Sequence, residues 1–503
     1  MSQARLGAPR AVGLAAAVLG TGLLVAAPAH AISGGAPAKD GTHQYAAKIE
    51  LPGRACSGAL IEAQWVITAK SCVTGVQTDA GTVTVGRTNL SGNTGQVVKI
   101  AGVVPREDRN VALVKLSTPI SGVAPVKIGR TAPQNGEGLR IAGYGRTATE
   151  WVPNQLNTAT FQAKNLGKTT FEVTGASGNA STCKGDAGAP VVRETNGTSE
   201  LVAIDHASWQ NGCLGETQTR QGGTETRVDD LNDWIKQQIP NLSIECKPAV
   251  PFYIVRNDGE VREYQHTDPK NGSFNWADNN GRVIGAGWLG ARTVAAPNGV
   301  MYLAVQNGEF RRYRWNGNGW DTNQAGSQYD VLENGNGWDR YVTPDYRNRI
   351  TVDTNGDIYT IEPDGKLHWR SYDPARKKLD HRVLSGDWGQ YDLIVAAGQG
   401  VLYSRKPNGD LFRHVYDAKN GQWTQQAKPN GAGWGMFSSI ISVGGDILYG
   451  ARLVEGGGEL LWYRYQVLNG TWADTGRDIG KLVGTGWANE FNITAAPDGC
   501  RAV

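Results

Sequence analysis

Apolar residues are distributed along this chain in distinct regimes. From about Ala11 to Ala27 they form a nearly unbroken Ala/Val/Leu run behind Arg5 and Arg10, closed by Ala29-His30-Ala31. A charged start, an apolar centre and a small-x-small end predict a secretory leader over residues 1–31, with Ile32 as the first mature residue. From Pro251 onward the pattern changes to short alternating strands separated by Gly, Asn and Asp turns. One phrase, a Gly turn followed by such a strand, occurs five times, beginning at Asn257, Asn307, Asp364, Asn408 and Gly457. A second phrase ends on tryptophan at Trp288, Trp338, Trp388, Trp434 and Trp487, a repeat of about 50 residues. Strands of period two, joined by tight turns and repeated radially, predict a β-propeller, here of five blades.

The repeat also predicts how the ring closes. Asn492-Ile493-Thr494-Ala495-Ala496-Pro497-Asp498-Gly499 copies Thr293-Val294-Ala295-Ala296-Pro297-Asn298-Gly299 and then stops at Cys500. Its continuation is found at the front of the region, in Pro251-Phe252-Tyr253-Ile254-Val255. One blade is therefore expected to be built from both ends of the domain.

The first half carries a set of short motifs. Gly185-Asp186-Ala187-Gly188-Ala189-Pro190 resembles the Gly-Asp-Ser-Gly-Gly-Pro loop of trypsin-like proteases, with Ala187 at the nucleophile position. Trp65-Val66-Ile67-Thr68-Ala69-Lys70-Ser71-Cys72 resembles the segment that carries the family's general base, and Ser71 holds that place. Asn110-Val111-Ala112-Leu113-Val114-Lys115-Leu116 resembles the strand that opens with the orienting carboxylate, here Asn110. Ala142-Gly143-Tyr144-Gly145, Ser208-Trp209 and the segment from Thr226 through Trp234 and Ile235 complete a match over residues 32–240. A serine triad acts as a unit of nucleophile, base and orienting group. With all three replaced, the sequence predicts a protein without proteolytic activity. His43 and His206 are the only histidines of this region, and neither holds the base position. Lys70 and Ser71 are adjacent, so on an extended segment they point to opposite faces and make a poor dyad.

The resemblance implies more than an empty triad. Ile32-Ser33-Gly34-Gly35 is similar to the start of an activated family member, whose α-amino group pairs with the aspartate before the nucleophile, here Asp186. A former substrate cleft would be outlined by Ser181, Gly185, Ala187, Ser208 and Trp209. Ser181, at the base of the specificity pocket, is neutral, so a basic side chain is expected to find no carboxylate there. Asp205-His206 reads as an insertion in the cleft wall.

Six cysteines in an exported chain suggest three disulfides, for which sequence alone allows fifteen pairings. The resemblance implies Cys56–Cys72 and Cys183–Cys213, and the remaining pair is Cys246–Cys500. No cysteine or histidine cluster has metal-ligand spacing, so neither metal nor cofactor is expected. The formal charge of +3 comes without a basic stripe, which gives nucleic acid binding no support. No apolar run after the leader is long enough to span a membrane.

At 503 residues the chain divides naturally into a leader (1–31), a trypsin-like double β-barrel (32–243) and a propeller (244–503), an all-β protein. The propeller half resembles tachylectin-like propellers, which implies binding of N-acetylated sugars at repeated sites. Its five phrase-ending tryptophans are the candidates to stack on sugar rings, and repetition favours multivalent binding to a surface. The combination resembles the lectin subunits of actinobacterial umbrella toxin particles. That likeness implies a secreted, non-catalytic subunit for interbacterial competition, with an adaptor protein in the vacated cleft and cell-surface carbohydrate on the propeller. The rival readings are a stand-alone secreted pseudoprotease lectin for adhesion and an active trypsin-like protease carrying a lectin module.

Overall fold

The computed structural model describes residues 32–503 except 177–179, 456, 474, 476–478 and 488–490. The leader segment 1–31 lies outside the described residues. The chain divides into two compact units, one reaching Asp230 and the other spanning Leu231–Val503.

The first unit is built from two closed six-stranded barrels. In the first, the strands Ala46–Leu51, Arg54–Glu62, Trp65–Thr68, Ala112–Leu116, Gln96–Pro105 and Thr82–Val85 follow one another around the ring. In the second the ring runs Asn157–Lys164, Thr170–Gly175, Gly223–Arg227, Thr198–Ser208, Pro190–Thr195 and Gly138–Gly143, the last pairing back onto the first. Asn157–Lys164 shows why: its apolar and small residues alternate with polar ones, and Ala159, Phe161 and Ala163 point inward. The side chain of Ile32 is fully buried in this second core with Ile141, Phe161 and Val191. Burial of such side chains contributes about 1.5–3 kcal/mol each.

The short helix Asn232–Gln238, expected as the end of the first domain, groups with the second unit. Its bonds explain this: the Lys236 ammonium donates to the carbonyl of Val503, and Asn469 Nδ2 donates to the carbonyl of Gln237 at 3.2 Å.

In the second unit four antiparallel sheets have the four-stranded form of propeller blades. They are Val300–Val305 with its neighbours between Ala291 and Asn334, the strands between Ile350 and Ser385, those between Leu393 and Gly431, and a sheet made from both ends of the unit. In that last sheet Asn492–Ala495 pairs with Val250–Val255, so Phe252 lies opposite Ala495 and Val255 opposite Asn492. The two-ended blade is thus present. Five like blades are not: the arrangement is propeller-like with four four-stranded blades, and the fifth repeat lies in a seven-stranded sheet. Closure is the cause. Ile244–Cys246 and Cys500–Ala502 pair with one another, and Cys500 also bridges to Gly444, which adds strands to the edge of that repeat.

All three disulfides are formed, Cys56–Cys72, Cys183–Cys213 and Cys246–Cys500, and no cysteine is free. The last joins residues 254 apart in sequence, a loop for which the chain-entropy model gives roughly 5 kcal/mol. Among the described residues no helix is long and apolar enough to cross a membrane.

Candidate functional site: a cleft in the first unit and a cavity in the second

Antiparallel pairing of Trp65–Thr68 with Ala112–Leu116 sets Thr68 opposite Ala112. The residues just beyond these strand ends therefore meet. Ser71, on the one-turn helix Lys70–Val73, donates its backbone N–H to the side-chain Oδ1 of Asn110 at 2.8 Å, while Asn110 Nδ2 donates to Ser71 Oγ at 3.4 Å. Ala187 reaches the same place from the turn before Pro190–Thr195, its carbonyl accepting the Ser57 N–H at 3.1 Å. Gly188 permits that approach, because a Cβ there would stand 2.2 Å from Thr68 Oγ1 and its φ is +84°. Ser71 and Ala187 then share the wall of one cleft of about 530 Å³ with Gly185, His206 and Ser208.

Of the residues expected to outline the cleft, Gly185, Ala187 and Ser208 do so. Ser181 does not; it is fully buried, its hydroxyl donating to the Gly222 carbonyl at 3.0 Å and accepting the Gly222 N–H at 2.9 Å. Trp209 is half-buried, with the Arg220 guanidinium 3.3 Å from its ring centre and held to Glu172 at 2.8 Å. The Asp205-His206 insertion is absorbed as a register shift between Asp205 and Ala207. That bulge aims His206 into the cleft, with Nδ1 2.8 Å from Thr226 Oγ1. Burial pushes the imidazole below its ordinary pKa, so it is neutral at pH 7. Sequence reasoning missed the rim, where Trp151 is exposed beneath the Arg146 guanidinium and Val152 is exposed beside it. An exposed Trp-Val pair in a Gly- and Thr-rich stretch was the available signal.

Asp186 is fully buried and accepts two backbone N–H groups, Gly145 on Oδ1 and Cys183 on Oδ2, each at 2.9 Å. Removal from water pushes its carboxyl up to about 7, against those two bonds. Ile32, joined here to Ala31, has a peptide nitrogen and no charge. Its neighbour Ser33 bridges to Ser181, two residues before Cys183, so the chain start runs beside the Asp186 loop.

In the second unit, the phrase-ending tryptophans correct the expectation placed on them. Trp288, Trp338, Trp388, Trp434 and Trp487 are all buried, between 1% and 8% exposed. Each packs on aromatic rings, as with Trp338 on Phe310 at 3.7 Å and 10°, and Trp434 against Tyr463 at 4.7 Å. The preceding left-handed residue, such as Gly337 or Gly433, turns the indole inward to fill the blade. A second series of tryptophans joins neighbouring sheets: the indole N–H groups of Trp276, Trp320 and Trp472 donate to the carbonyls of Val483, Ile284 and Asn430 at 2.6, 2.7 and 2.9 Å.

Trp487 borders a cavity of about 290 Å³. Its other walls include Tyr264, Phe274, Trp276, Asn279 and Thr485. Phe274 is 55% exposed and offers an open ring face, while Asn279 and Thr485 supply polar groups. An aromatic platform flanked by an amide and a hydroxyl suits a pyranose, whose C–H face is apolar and whose rim is hydroxylated. The run Ser273-Phe274-Asn275-Trp276 among Asp and Asn residues carried that signal in the sequence.

Comparison with known proteins agrees with this division. Residues 32–235 match the trypsin family model, and residues 254–492 match the tachylectin family model. The chain thus joins a trypsin-like serine protease domain to a tachylectin domain. Similar proteins include a protein C activator of Agkistrodon contortrix contortrix, 28% identical and covering 43% of this chain and all of that one. Snake venom serine proteinase 14 of Crotalus adamanteus is 26% identical, covering 43% of this chain and 90% of its own length. Human serine protease 1 is 29% identical over 41% of this chain and 89% of its own. Among solved structures, neuropsin, a serine protease expressed in the limbic system of mouse brain, superposes with a TM-score of 0.35 at 22% identity, covering 41% of this chain and all of that one.

Proposed function

We propose that this protein is a secreted, non-catalytic lectin in which the trypsin-like domain holds a protein segment in its cleft and the tachylectin domain binds cell-surface carbohydrate. The observation that carries the reading is that Ser71 and Ala187 share the wall of one cleft, with Asn110 held against Ser71, and that no base and no activated nucleophile is among the three. Loss of the triad leaves oxyanion hydrogen bonding and substrate binding as the remaining contributions to rate. A groove that binds without cutting is a site for an extended segment. Export is supported by three disulfides and by the leader-like start. Together with a lectin module, these features favour the role of the lectin subunit of an antibacterial toxin particle, held through an adaptor protein in the cleft.

Affinity purification of the native protein from culture fluid, followed by mass spectrometry, tests this role; recovery of the chain alone would refute it. Ala187→Trp fills the cleft and is expected to abolish adaptor capture while sugar binding persists. Retention of the partner at wild-type affinity would place the contact elsewhere.

Catalytic silence has its own test. The purified protein is expected neither to hydrolyse peptide substrates nor to be labelled by a serine-directed phosphonate. Ala187→Ser alone is expected to stay inert, since Ser71 supplies no base and His206 Nδ1 is engaged by Thr226. Stoichiometric labelling of either protein would overturn the reading.

A further inference from the structure

One strand from each of five sheets of the second unit, Ala291–Ala295, Ile350–Val352, Leu393–Gly398, Ser439–Gly444 and Asn492–Ala495, lines a single narrow cavity of about 30 Å³. Neighbouring strands run the same way around it. Ile394 donates its N–H to the Asn348 carbonyl at 2.8 Å, and Ala396 donates to Thr351 Oγ1 at 2.9 Å. At the seam where the ring closes, Asn492 Nδ2 donates to the Thr293 carbonyl at 3.0 Å, and Ala295 donates to Thr494 Oγ1 at 2.9 Å. The starts of these strands therefore gather at one mouth, which brings together Arg292, the run Arg347-Asn348-Arg349 ahead of Ile350, and Phe491-Asn492.

That mouth collects positive charge. Arg292 is the only charged side chain among the described residues lining the cavity, whose walls are otherwise apolar or hydroxylated. It is half-buried; its Nη1 donates to Asn492 Oδ1, a neutral oxygen, and its Nε is buried with no partner among the described residues. Arg347, also half-buried, stands close enough to repel it and donates in turn to the neutral carbonyl of Phe491. Arg349 lies with its guanidinium 4.9 Å from the centre of the Tyr346 ring, and its Nε too is buried and unpartnered. The described carboxylates nearby do not answer these charges: Asp392 is held by Arg405 at 2.7 Å, and Asp345 is exposed.

A buried charge is tolerated where an opposite charge reaches it. Burial, with the repulsion of Arg347, pulls the Arg292 guanidinium down to about 9, which still leaves it protonated at pH 7. It cannot escape the cost by losing its proton, so the site calls for an anion from solution. Size selects which. One water needs about 10–15 Å³ of such space, so 30 Å³ accepts a particle of water-like dimensions and excludes a sugar or a phosphate ester.

We infer that the mouth of this channel is a halide site, filled by chloride in ordinary salt, with Arg292 and Arg347 as its ligands. Both arginines already reach the strand that completes the two-ended blade, Arg292 at Asn492 and Arg347 at Phe491. A bound halide thus ties the ring at its seam from the inside, opposite in kind to the covalent tie of Cys246–Cys500 at its edge.

The test is thermal unfolding of the full mature chain at constant ionic strength, with sodium gluconate, whose anion is too large for the cavity, replaced stepwise by sodium chloride or bromide. A ligand that binds only the folded state stabilises it in proportion to the logarithm of its concentration, so the second unit's transition is expected to rise by about 5 °C or more at about 100 times the dissociation constant. The first unit's transition is expected to stay where it is. Arg292→Met should abolish the response and, in gluconate, melt no lower than the wild type, because it removes a charge that has no partner there. Crystals soaked in bromide should show anomalous density beside the Arg292 guanidinium. Equal melting of the wild-type chain in chloride and gluconate, an equal rise in both units, a response retained by Arg292→Met, or bromide absent from the channel mouth would each overturn the proposal. The chloride–gluconate comparison on the wild-type chain decides the matter even if the variant fails to fold.

Discussion

A chain that keeps even one residue ahead of Ile32 is expected to lose stability in its first unit as pH rises from about 4 to about 8, whereas the chain beginning at Ile32 loses markedly less. Asp186, Asp205 and Glu225 are all buried, with carboxyl groups held above their ordinary range. Below about pH 4 these carboxyls are protonated folded or unfolded, and they do not affect the balance. Above it the unfolded chain ionises while the folded one holds its protons, so the unfolded state gains. The loss continues until pH passes the folded values of about 7 for Asp186 and about 8 for Asp205. At about 1.4 kcal/mol per unit, Asp186 alone accounts for about 4 kcal/mol. A free α-ammonium at Ile32 removes that share by stabilising the ionised form of Asp186. Hydrogen exchange at the Gly145 and Cys183 amides, which donate to Asp186, reads the difference, after correction for the intrinsic pH dependence of exchange. Coincident profiles for the two chains would refute the pairing of Ile32 with Asp186. Asp186→Asn should remove the Asp186 share of the extended chain's slope, leaving that of Asp205 and Glu225, and should abolish the response to cleavage.

Trp338→Ala is expected to destabilise the second unit by about 3–5 kcal/mol, while Phe274→Ala leaves stability nearly unchanged and removes sugar binding at its cavity. The contrast follows from placement. Trp338 is 2% exposed, stacks on Phe310 at 3.7 Å and donates its indole N–H to Glu333 at 2.7 Å. Truncation opens a large cavity and leaves the partly buried Glu333 carboxylate without its donor. Phe274 is 55% exposed, so its removal costs little packing and takes away the open ring face beside Asn279 and Thr485. Thermal unfolding and titration with N-acetylglucosamine separate the two effects. A stable Trp338→Ala protein that no longer binds sugar would return the phrase-ending tryptophans to the role first expected of them.

Much of this protein follows from local pattern. Alternation in Asn157–Lys164 and its neighbours dictates strands whatever surrounds them, because period two places one set of side chains on one face. The truncated copy at Asn492–Gly499 and its continuation at Pro251 announce a blade shared by the two ends, and the register of Phe252 opposite Ala495 is its realisation. Substitution of the triad positions is likewise a property of residue identity: Ser71, Asn110 and Ala187 lack the required groups wherever the fold puts them.

What the tertiary structure decided is which side chains meet and which meet water. A tryptophan after a glycine reads the same whether its ring faces a sugar or a neighbouring blade; the left-handed turn at Gly337 sends it inward, and only the packed sheets reveal that. The seven-stranded sheet arises because two chain ends, 254 residues apart, pair through Cys246 and Cys500 and extend an edge, which no repeat period encodes. Asp205 and Glu225 look like ordinary polar positions 20 residues apart, and become a facing pair of buried carboxyl groups because antiparallel register sets them opposite each other inside a barrel. Spacing along the chain specifies the elements; burial and cross-strand neighbours exist only once distant segments close around a common core.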